Sequence, residues 1–401
     1  MERTYQPRQP KDTALAFVLT VVLFSLVGYY SLSSSFRRRL RRTLLSPLHS
    51  LAARIPLPPS LHTPSNLAIA VRSFSSYPST QHTALERKHL AYARMPRAHR
   101  AIGARLGWTD TLERAEDAVE INARLTDQLA ALGLAQARSE GVPYGFRSRL
   151  WTENGRVVET LKHFVRDWSD EGKSERDALF PPILEALKGE FGEREGKKVL
   201  VPGCGLGRLA YEIATLGFSV DANDFSHFMN LGSSLLFSPT HTHTANQHVL
   251  APYVHSFSHH RTSANLLRTV RFPDVVPDPE AVRRMEFKPG DFTELFDEEG
   301  TYDAVVTLFF IDTASNLLTY FHTIFRALRP GGLWLNEGPL LYYGQPAMEL
   351  PLEEVVRAAE MVGFVVEKRQ ALKEVRYTAD EKGMYTFAYD CEFWVARKPH
   401  V

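Results

Sequence analysis

Val199 to Asp224 reads VLVPGCGLGRLAYEIATLGFSVDAND, and the fold turns on how this stretch is read. Val199-Leu200-Val201 is a short apolar run of the kind that makes a buried parallel strand. Gly203, Gly205 and Gly207 then alternate with Cys204 and Leu206. Glycines at this spacing let the backbone turn sharply and leave no side chain between it and a ligand. Arg208 to Leu216 reads as a helix with Leu209, Ile213 and Leu216 on one face. Gly217 ends it, and Phe218 to Ala222 reads as the next strand. Asp224 follows, 17 residues after Gly207, where a ribose diol would be held. Strand, glycine turn, helix and a second strand ending in an acid make the nucleoside half-site of a doubly wound α/β sheet.

The glycine spacing narrows the ligand. A dinucleotide fingerprint is G-x-G-x-x-G, with pyrophosphate on the helix N-terminus. Here the third glycine comes one residue early and Arg208 follows it. The G-x-G-x-G form resembles that of S-adenosylmethionine-dependent methyltransferases, whose cofactor has no phosphate to cradle. The bland alternative is a turn that merely joins strand to helix.

Composition bounds the rest. The 401 residues suit two or three units, and a formal net charge of +1 argues against a general nucleic-acid binder. Cys204 and Cys391 are the only cysteines, so no disulfide framework or CxxC metal site is expected, which fits a reducing compartment. Ala14 to Tyr30 is uncharged and is followed, past Ser31 to Ser35, by Arg37, Arg38, Arg39, Arg41 and Arg42. At about 1.5 Å per residue the apolar run covers about 26 Å, enough for a thin bilayer, and the arginines would keep its C-terminal side cytosolic. Residues 14–35 therefore read as a membrane anchor for a cytosolic catalytic region. Two other readings compete: a disordered tail, or a mitochondrial transit peptide, since Asp and Glu are absent from Thr13 to Leu85 and Val71 to Ser76 resembles a processing site. Pro56, Pro58, Pro59, Pro64 and Pro78 predict little regular structure over 56–80. The expected organisation is an N-terminal segment and basic linker over 1–82, a helical region over 83–192 and an α/β domain over 193–401.

In the helical region, Ala84 to Arg94, Thr111 to Leu132 and Arg156 to Trp168 carry apolar periodicity, and Ser174 to Glu190 reads as a helix interrupted at Pro181-Pro182. His163 and Arg166 stand at i and i+3 and share a helix face, suited to a cofactor carboxylate; spacing alone favours a surface Arg paired with Asp167 or Glu159. Past Asp224, residues 237–284 form a long insertion carrying His241, His243, His248, His255, His259 and His260. Their spacing is irregular and no cysteine accompanies them, so a lid or pocket insertion is expected rather than a metal site.

The sheet then resumes. Met285 to Pro289 is a short strand, followed by Asp291 and Phe292, which could take an adenine amino group and cover its ring or simply cap a helix. Tyr302 to Ile311 is apolar enough to be central, and it ends at Asp312, placed for substrate or for capping Asn316 to Leu328. Leu333 to Asn336 leads to a loop, Glu337 to Tyr343, at the same sheet edge. Leu352 to Val362 reads as a helix and Phe364 to Lys368 as a strand; Phe387 to Ala396, with alternating Tyr389, Cys391, Phe393 and Val395, reads as a closing antiparallel strand.

Four runs carry a more specific resemblance: VPGCGLGRLA; RDWS-x-E-GK-x-ERD from Arg166 to Asp177; FFIDTA-x-N from Phe309 to Asn316; and RPGGLWLN-x-GPLLY from Arg329 to Tyr342. Together they resemble the carnosine N-methyltransferase, or N2227-like, family over roughly Leu85 to Pro399. The resemblance implies a Rossmann-like seven-stranded class I methyltransferase sheet with an N-terminal helical region and a long insertion after the second strand. It implies S-adenosylmethionine as cofactor and a small imidazole substrate, the dipeptide β-alanyl-L-histidine. It places His163, Arg166, Gly203, Gly205, Asp224, Asp291, Phe292 and Leu308 at cofactor positions. It places Asp312, Tyr343 and Tyr389 at substrate positions, with Asp312 the catalytic carboxylate. His163 stands where the family has Gln, and Tyr343 where its GPLLYH loop has a substrate-binding His. Other imidazole acceptors, an NAD(P)-dependent oxidoreductase and a non-catalytic cofactor-binding module remain as rival readings.

Overall fold

A computed structural model describes residues 65–142 and 152–400; residues 14–35, read as an anchor from sequence, lie outside them. Among the described residues no helix is long and apolar enough to cross a membrane.

The helical region begins earlier than 83. Helix α1 spans Asn66–Ala93, and Ser65 caps it by accepting from the Ala68 amide. Leu67, Val71, Phe74 and Tyr77 are fully or almost fully buried, a helical stripe that the prolines and serines of 56–80 mask in composition. Pro78 sits inside α1, and the hydroxyls of Ser75, Ser76, Ser79 and Thr80 bond back to carbonyls of the preceding turn. The expectation of irregular chain over 56–80 therefore fails from Ser65 onward. Val71, Ser73 and Phe74, in the stretch that resembles a processing site, are buried within α1.

Helices α2 (Arg97–Arg105), α3 (Trp108–Ser139), α4 (Asn154–Trp168) and α5 (Lys173–Glu190) complete this region. The α5 helix runs unbroken through Pro181-Pro182, against the sequence expectation, because Leu179, Phe180, Ile183 and Leu187 are buried around them. Tertiary packing here outweighs proline's local penalty of about 3 kcal/mol.

The α/β domain holds one seven-stranded sheet. Its strands are β1 (Lys198–Pro202), β2 (Ser219–Asp224), β5 (Met285–Pro289), β6 (Tyr302–Leu308), β7 (Leu328–Gly338), β8 (Val365–Arg376) and β9 (Ala388–Arg397), in the order β5-β2-β1-β6-β7-β9-β8. The first five strands are parallel, and β9 runs antiparallel between β7 and β8. This is the Rossmann-like seven-stranded sheet expected from the sequence, with the strand order reversing direction at β1 and β6, where open α/β sheets bind ligands. Helices α6 (Arg208–Thr215) and α7 (His227–Leu236) follow β1 and β2. Helices α10 (Phe292–Leu295), α11 (Leu317–Ala327) and α12 (Leu352–Val362) follow β5, β6 and β7. Trp334, Trp394, Phe321 and Phe364 pack together on the side of α11 and α12, while the opposite face meets α5, α6 and α7, with α1, α3 and α4 packed against α7.

The insertion folds as a two-stranded pair, β3 (His248–Leu250) with β4 (Val270–Phe272), plus short helices α8 (Ser263–Leu267) and α9 (Pro279–Arg283). Two of its histidines serve internal bonds: His255 Nε2 lies 2.7 Å from the Tyr77 hydroxyl, and His248 Nε2 lies 2.9 Å from Thr242 Oγ1. Asn122 on α3 donates to the Ala251 carbonyl and accepts from its amide, fixing the insertion to the helical region.

Candidate active site

The loop after β1 sets one wall. Gly203 and Gly205 sit at φ +64° and +57°, a left-handed backbone that other residues rarely adopt. A Cβ on Gly203 would strike the Phe310 ring at 2.4 Å. The loop is tied to the end of β2: Asp224 Oδ2 accepts from the Gly205 amide at 2.9 Å, and Oδ1 accepts from the Ser226 amide at 2.7 Å. Burial pushes the Asp224 carboxyl above the usual carboxylate range in spite of those two donors.

The C-terminal end of α4 faces this loop. Val157, Leu161, Phe164, Val165 and Trp168 bury one stripe of α4, and His163, Arg166 and Asp167 are carried to the cleft with them. A Cβ built on Gly205 would lie 3.8 Å from Asp167 Oδ2, and His163 Nδ1 lies 3.9 Å from the same oxygen. That Nδ1 is buried with no hydrogen-bond partner among the described residues. Arg166 Nη1 is 3.4 Å from Asp167 Oδ1 and its Nε is 3.6 Å from Glu175 Oε2. The guanidinium is stacked against Tyr377 and Phe309, with ring centroids at 4.9 and 5.5 Å. Arg166 is thus a sequestered cation rather than a surface one, and Glu159 instead lies 3.9 Å from His163. Burial pushes Asp167 up, but Arg166 and His163 outweigh it and hold the carboxyl below its ordinary range.

Further along the sheet edge, Asp291 Oδ1 accepts from the Thr293 amide at 2.8 Å and caps α10. Phe292 is buried against Phe310 and Tyr320. The Gly290 amide donates to the Asp224 carbonyl, so this pair adjoins the β2 acid. The same Phe310 ring touches Gly203, which links the glycine loop to Phe292.

The β6 end carries the remaining groups. Leu308 is half-buried at the last strand position, and Phe309 is held at φ +52° by its amide donating to the Glu337 carbonyl at 2.8 Å. Asp312 follows in a short 3₁₀ turn, Ile311–Thr313, and is buried. Its Oδ2 accepts from the Leu341 amide at 2.8 Å, which ties it to the loop after β7. Burial pushes the Asp312 carboxyl up to about 6. Tyr389 on β9 packs its ring against Phe309, Tyr377 and Phe387. Burial, then the charge of Asp312, raises its phenol, so the two groups are neighbours. Tyr343 is not brought in: its side chain is 83% exposed. A cavity of about 700 Å³ lies elsewhere, between Tyr92–Thr111 and Phe257–Leu266, and none of these groups line it.

Two contributors, Glu175 and Tyr377, have no role in the sequence reading, and Asp167 enters it only as the partner of a surface Arg166. Asp167 and Glu175 lie in the run from Arg166 to Asp177. Tyr377 comes from the β8–β9 connection, about 200 residues after Arg166, with no local signal. Glu175 accepts from the amides of Thr378 and Ala379 at 3.0 and 2.7 Å and so draws that connection over Arg166. The insertion braces it from the other side, through Arg268 to Asp380 at 2.7 Å and Arg261 to the Gly383 carbonyl at 3.1 Å.

Residues 150–400 match the family model described as "Carnosine N-methyltransferase". The carnosine N-methyltransferase of Mus musculus is 38% identical over 256 residues, 61% of this chain and 63% of its own length. The one of Schizosaccharomyces pombe is 32% identical over 355 residues, 81% of this chain and 93% of its own. The chain thus spans less than two thirds of the mouse protein's length. A SAM-dependent methyltransferase structure from Aquifex aeolicus aligns over 60% of this chain and 98% of its own at 17% identity, with a TM-score of 0.36, too distant to carry weight. With a family model covering more than half of its residues, the chain belongs to the carnosine N-methyltransferase family.

Proposed function

We propose that this chain transfers a methyl group from S-adenosylmethionine to an imidazole nitrogen of a histidine-containing dipeptide, converting carnosine to anserine. The observation that carries the reading is Asp312, a buried carboxylate at the end of a central strand, held by the Leu341 amide and flanked by Tyr389.

The cleft suits the cofactor. Gly203 and Gly205 leave no side chain between their backbone and a ligand. Arg166, packed against the adjoining rings of Phe309 and Tyr377, would meet its carboxylate, and the orphaned His163 Nδ1 marks a second polar contact. Asp224 would hold the ribose diol, with Asp291 and Phe292 at the adenine. Leu308 would form the floor beneath. When bound, the cofactor supplies a methylsulfonium electrophile. The chain's own work is to align the acceptor nitrogen in line with it and to exclude water. Asp312 would accept the N–H of one ring nitrogen, which leaves the lone pair of the other free and fixes the tautomer. The same carboxylate would stabilise the positive charge that develops on the ring.

Asp224→Ala removes both a cofactor contact and the acceptor that ties down Gly205 and Ser226. Cofactor affinity by titration calorimetry is expected to fall roughly 10- to 100-fold, the worth of one or two bonds to a charged group. The acceptor is tested with a panel of carnosine, free histidine, 1-methylhistidine and a histidine-containing peptide, with labelled cofactor and NMR location of the product methyl. Transfer to free or protein histidine but not carnosine would replace the dipeptide reading; binding of cofactor with no transfer at all would leave a non-catalytic module.

A further inference from the structure

Glu337 is the last side chain before Gly338 on β7, and it is fully buried. Both of its carboxylate oxygens are buried without a hydrogen-bond partner among the described residues. A carboxyl so placed is costly unless something meets it. Strand alternation sets it on the face of Leu333 and Leu335, opposite Trp334 and Asn336. In register it stands between Leu308 on β6 and Phe393 on β9, so Cys391 and Tyr389 project to its side of the sheet. The Cys391 thiol, pushed up to about 12 by burial, feels Glu337 first and then Asp312, so both carboxylates lie within range of this one β9 side chain.

The position within the sheet separates two ligands. Gly203, Gly205, Asp224, Asp291 and Phe292 come from the ends of β1, β2 and β5, the nucleoside half. Asp312, Leu341 and Tyr389 come from the ends of β6, β7 and β9, the half left for the acceptor. Glu337 belongs to the second half.

We propose that Glu337 is a specificity residue that takes the cationic amine of the acceptor, pairing with an ammonium several bonds from the ring that Asp312 holds. This deepens the methyl-transfer reading and rests on it. Burial pushes the Glu337 carboxyl up to about 9, so near neutral pH it starts as the neutral acid. An arriving ammonium converts it to the carboxylate; the proton leaves for solvent and the ion pair stays behind. Amine-bearing acceptors therefore release a proton on binding, and acceptors without an amine do not.

The test uses the full chain loaded with S-adenosylhomocysteine, so that no methyl is transferred. Carnosine and its N-acetylated derivative are titrated by calorimetry at about pH 8, where the ring of either dipeptide and Asp312 have already lost their protons and Glu337 has not, in two buffers of different ionisation enthalpy. Wild type is expected to bind carnosine with release of close to one proton and N-acetylcarnosine with none. Glu337→Gln is a near-isostere of the neutral acid. It is expected to bind carnosine at least about tenfold more weakly and without proton release, while its affinity for N-acetylcarnosine and for the cofactor stays unchanged. Equal losses for both dipeptides, no loss for either, or proton release that survives in Glu337→Gln would overturn the assignment. Wild type alone decides the matter if the variant does not fold: carnosine binding without proton release overturns the proposal. Wild type that binds neither dipeptide overturns the dipeptide reading and this proposal with it. Wild type that binds both, with no dependence on the amine, overturns only the role of Glu337.

Discussion

Asp312→Asn is expected to reduce methyl transfer by about 100-fold or more, the usual worth of one preorganised group aimed at developing charge, with cofactor affinity unchanged. An amide oxygen can still accept the ring N–H, but it cannot balance the charge that grows as the imidazole is methylated. A loss in kcat and in kcat/KM together would show an interaction made chiefly in the transition state. The same change is expected to stabilise the fold. Burial raises the Asp312 carboxyl to about 6, above its ordinary value, so the folded chain holds the proton more tightly than the unfolded chain. Stability from that protonated form is fully present below the unfolded value and is lost as pH rises through about 6. The shift of about two units corresponds to at most roughly 3 kcal/mol of strain at pH 8, which Asn removes. Melting curves should therefore show the variant more stable than wild type at pH 8, and the two converging near pH 4. Wild-type kcat/KM should rise with pH through about 6, as Asp312 ionises and the free acceptor imidazole loses its proton. Near-normal turnover in Asp312→Asn would falsify the catalytic assignment.

Much of this site could be read in the sequence because its parts are local. The glycine turn, the acid closing β2, the Asp-Phe pair after β5 and Asp312 after β6 each follow a strand of the same parallel sheet. A parallel sheet brings the C-terminal ends of its strands together, so a residue's place in the chain gives its place in the cleft. What failed was whatever depends on packing between distant segments. The serines and prolines near 75–80 suggest loose chain, yet Leu67, Val71, Phe74 and Tyr77 form a buried stripe against α3 and the insertion. Pro181-Pro182 looks like a break, yet the core around it keeps α5 continuous. Arg166 looks like a surface partner of Asp167, because nothing nearby in sequence announces that Tyr377 and Phe309 will stack on it. Tyr343 is next to a legible motif but stands exposed, since a loop residue's side chain is not fixed by strand alternation.

Asp274→Ala is expected to be the most destabilising single change near the site, though Asp274 is not among the groups assigned to either ligand. It follows β4 within the insertion, and its amide donates to the Trp168 carbonyl at the end of α4. Its carboxylate bridges two buried arginines, Arg176 Nη2 at 2.5 Å and Arg208 Nη1 at 2.6 Å. Those arginines in turn hold the α4 terminus. Arg176 donates to the carbonyls of Arg166 and Ser169 at 2.7 and 2.9 Å, and Arg208 donates to that of Asp167 at 3.0 Å. Burial and then the charge of Arg208 hold the Arg176 guanidinium below its ordinary pKa, so the pair repels once the aspartate is gone. Removing the common partner of two buried cations should cost about 3–5 kcal/mol, whereas losing an exposed, solvent-screened pair such as Lys373 with Asp390 should change stability little. Denaturant unfolding should show that loss, and a thermal scan a fall of roughly 10 °C. The carbonyls freed at 166, 167 and 169 belong to the turn that carries Arg166 and Asp167, so cofactor affinity should drop in the same variant. Replacing Asp274, Arg176 and Arg208 together by Leu, Met and Met separates the two effects. A buried triad exchanged for apolar side chains of similar size often recovers stability, but those side chains supply no donors to the α4 terminus, so weak cofactor binding should persist in a fold that melts normally. Recovery of both would mean that the triad sets stability alone and that Arg166 is positioned by its aromatic neighbours.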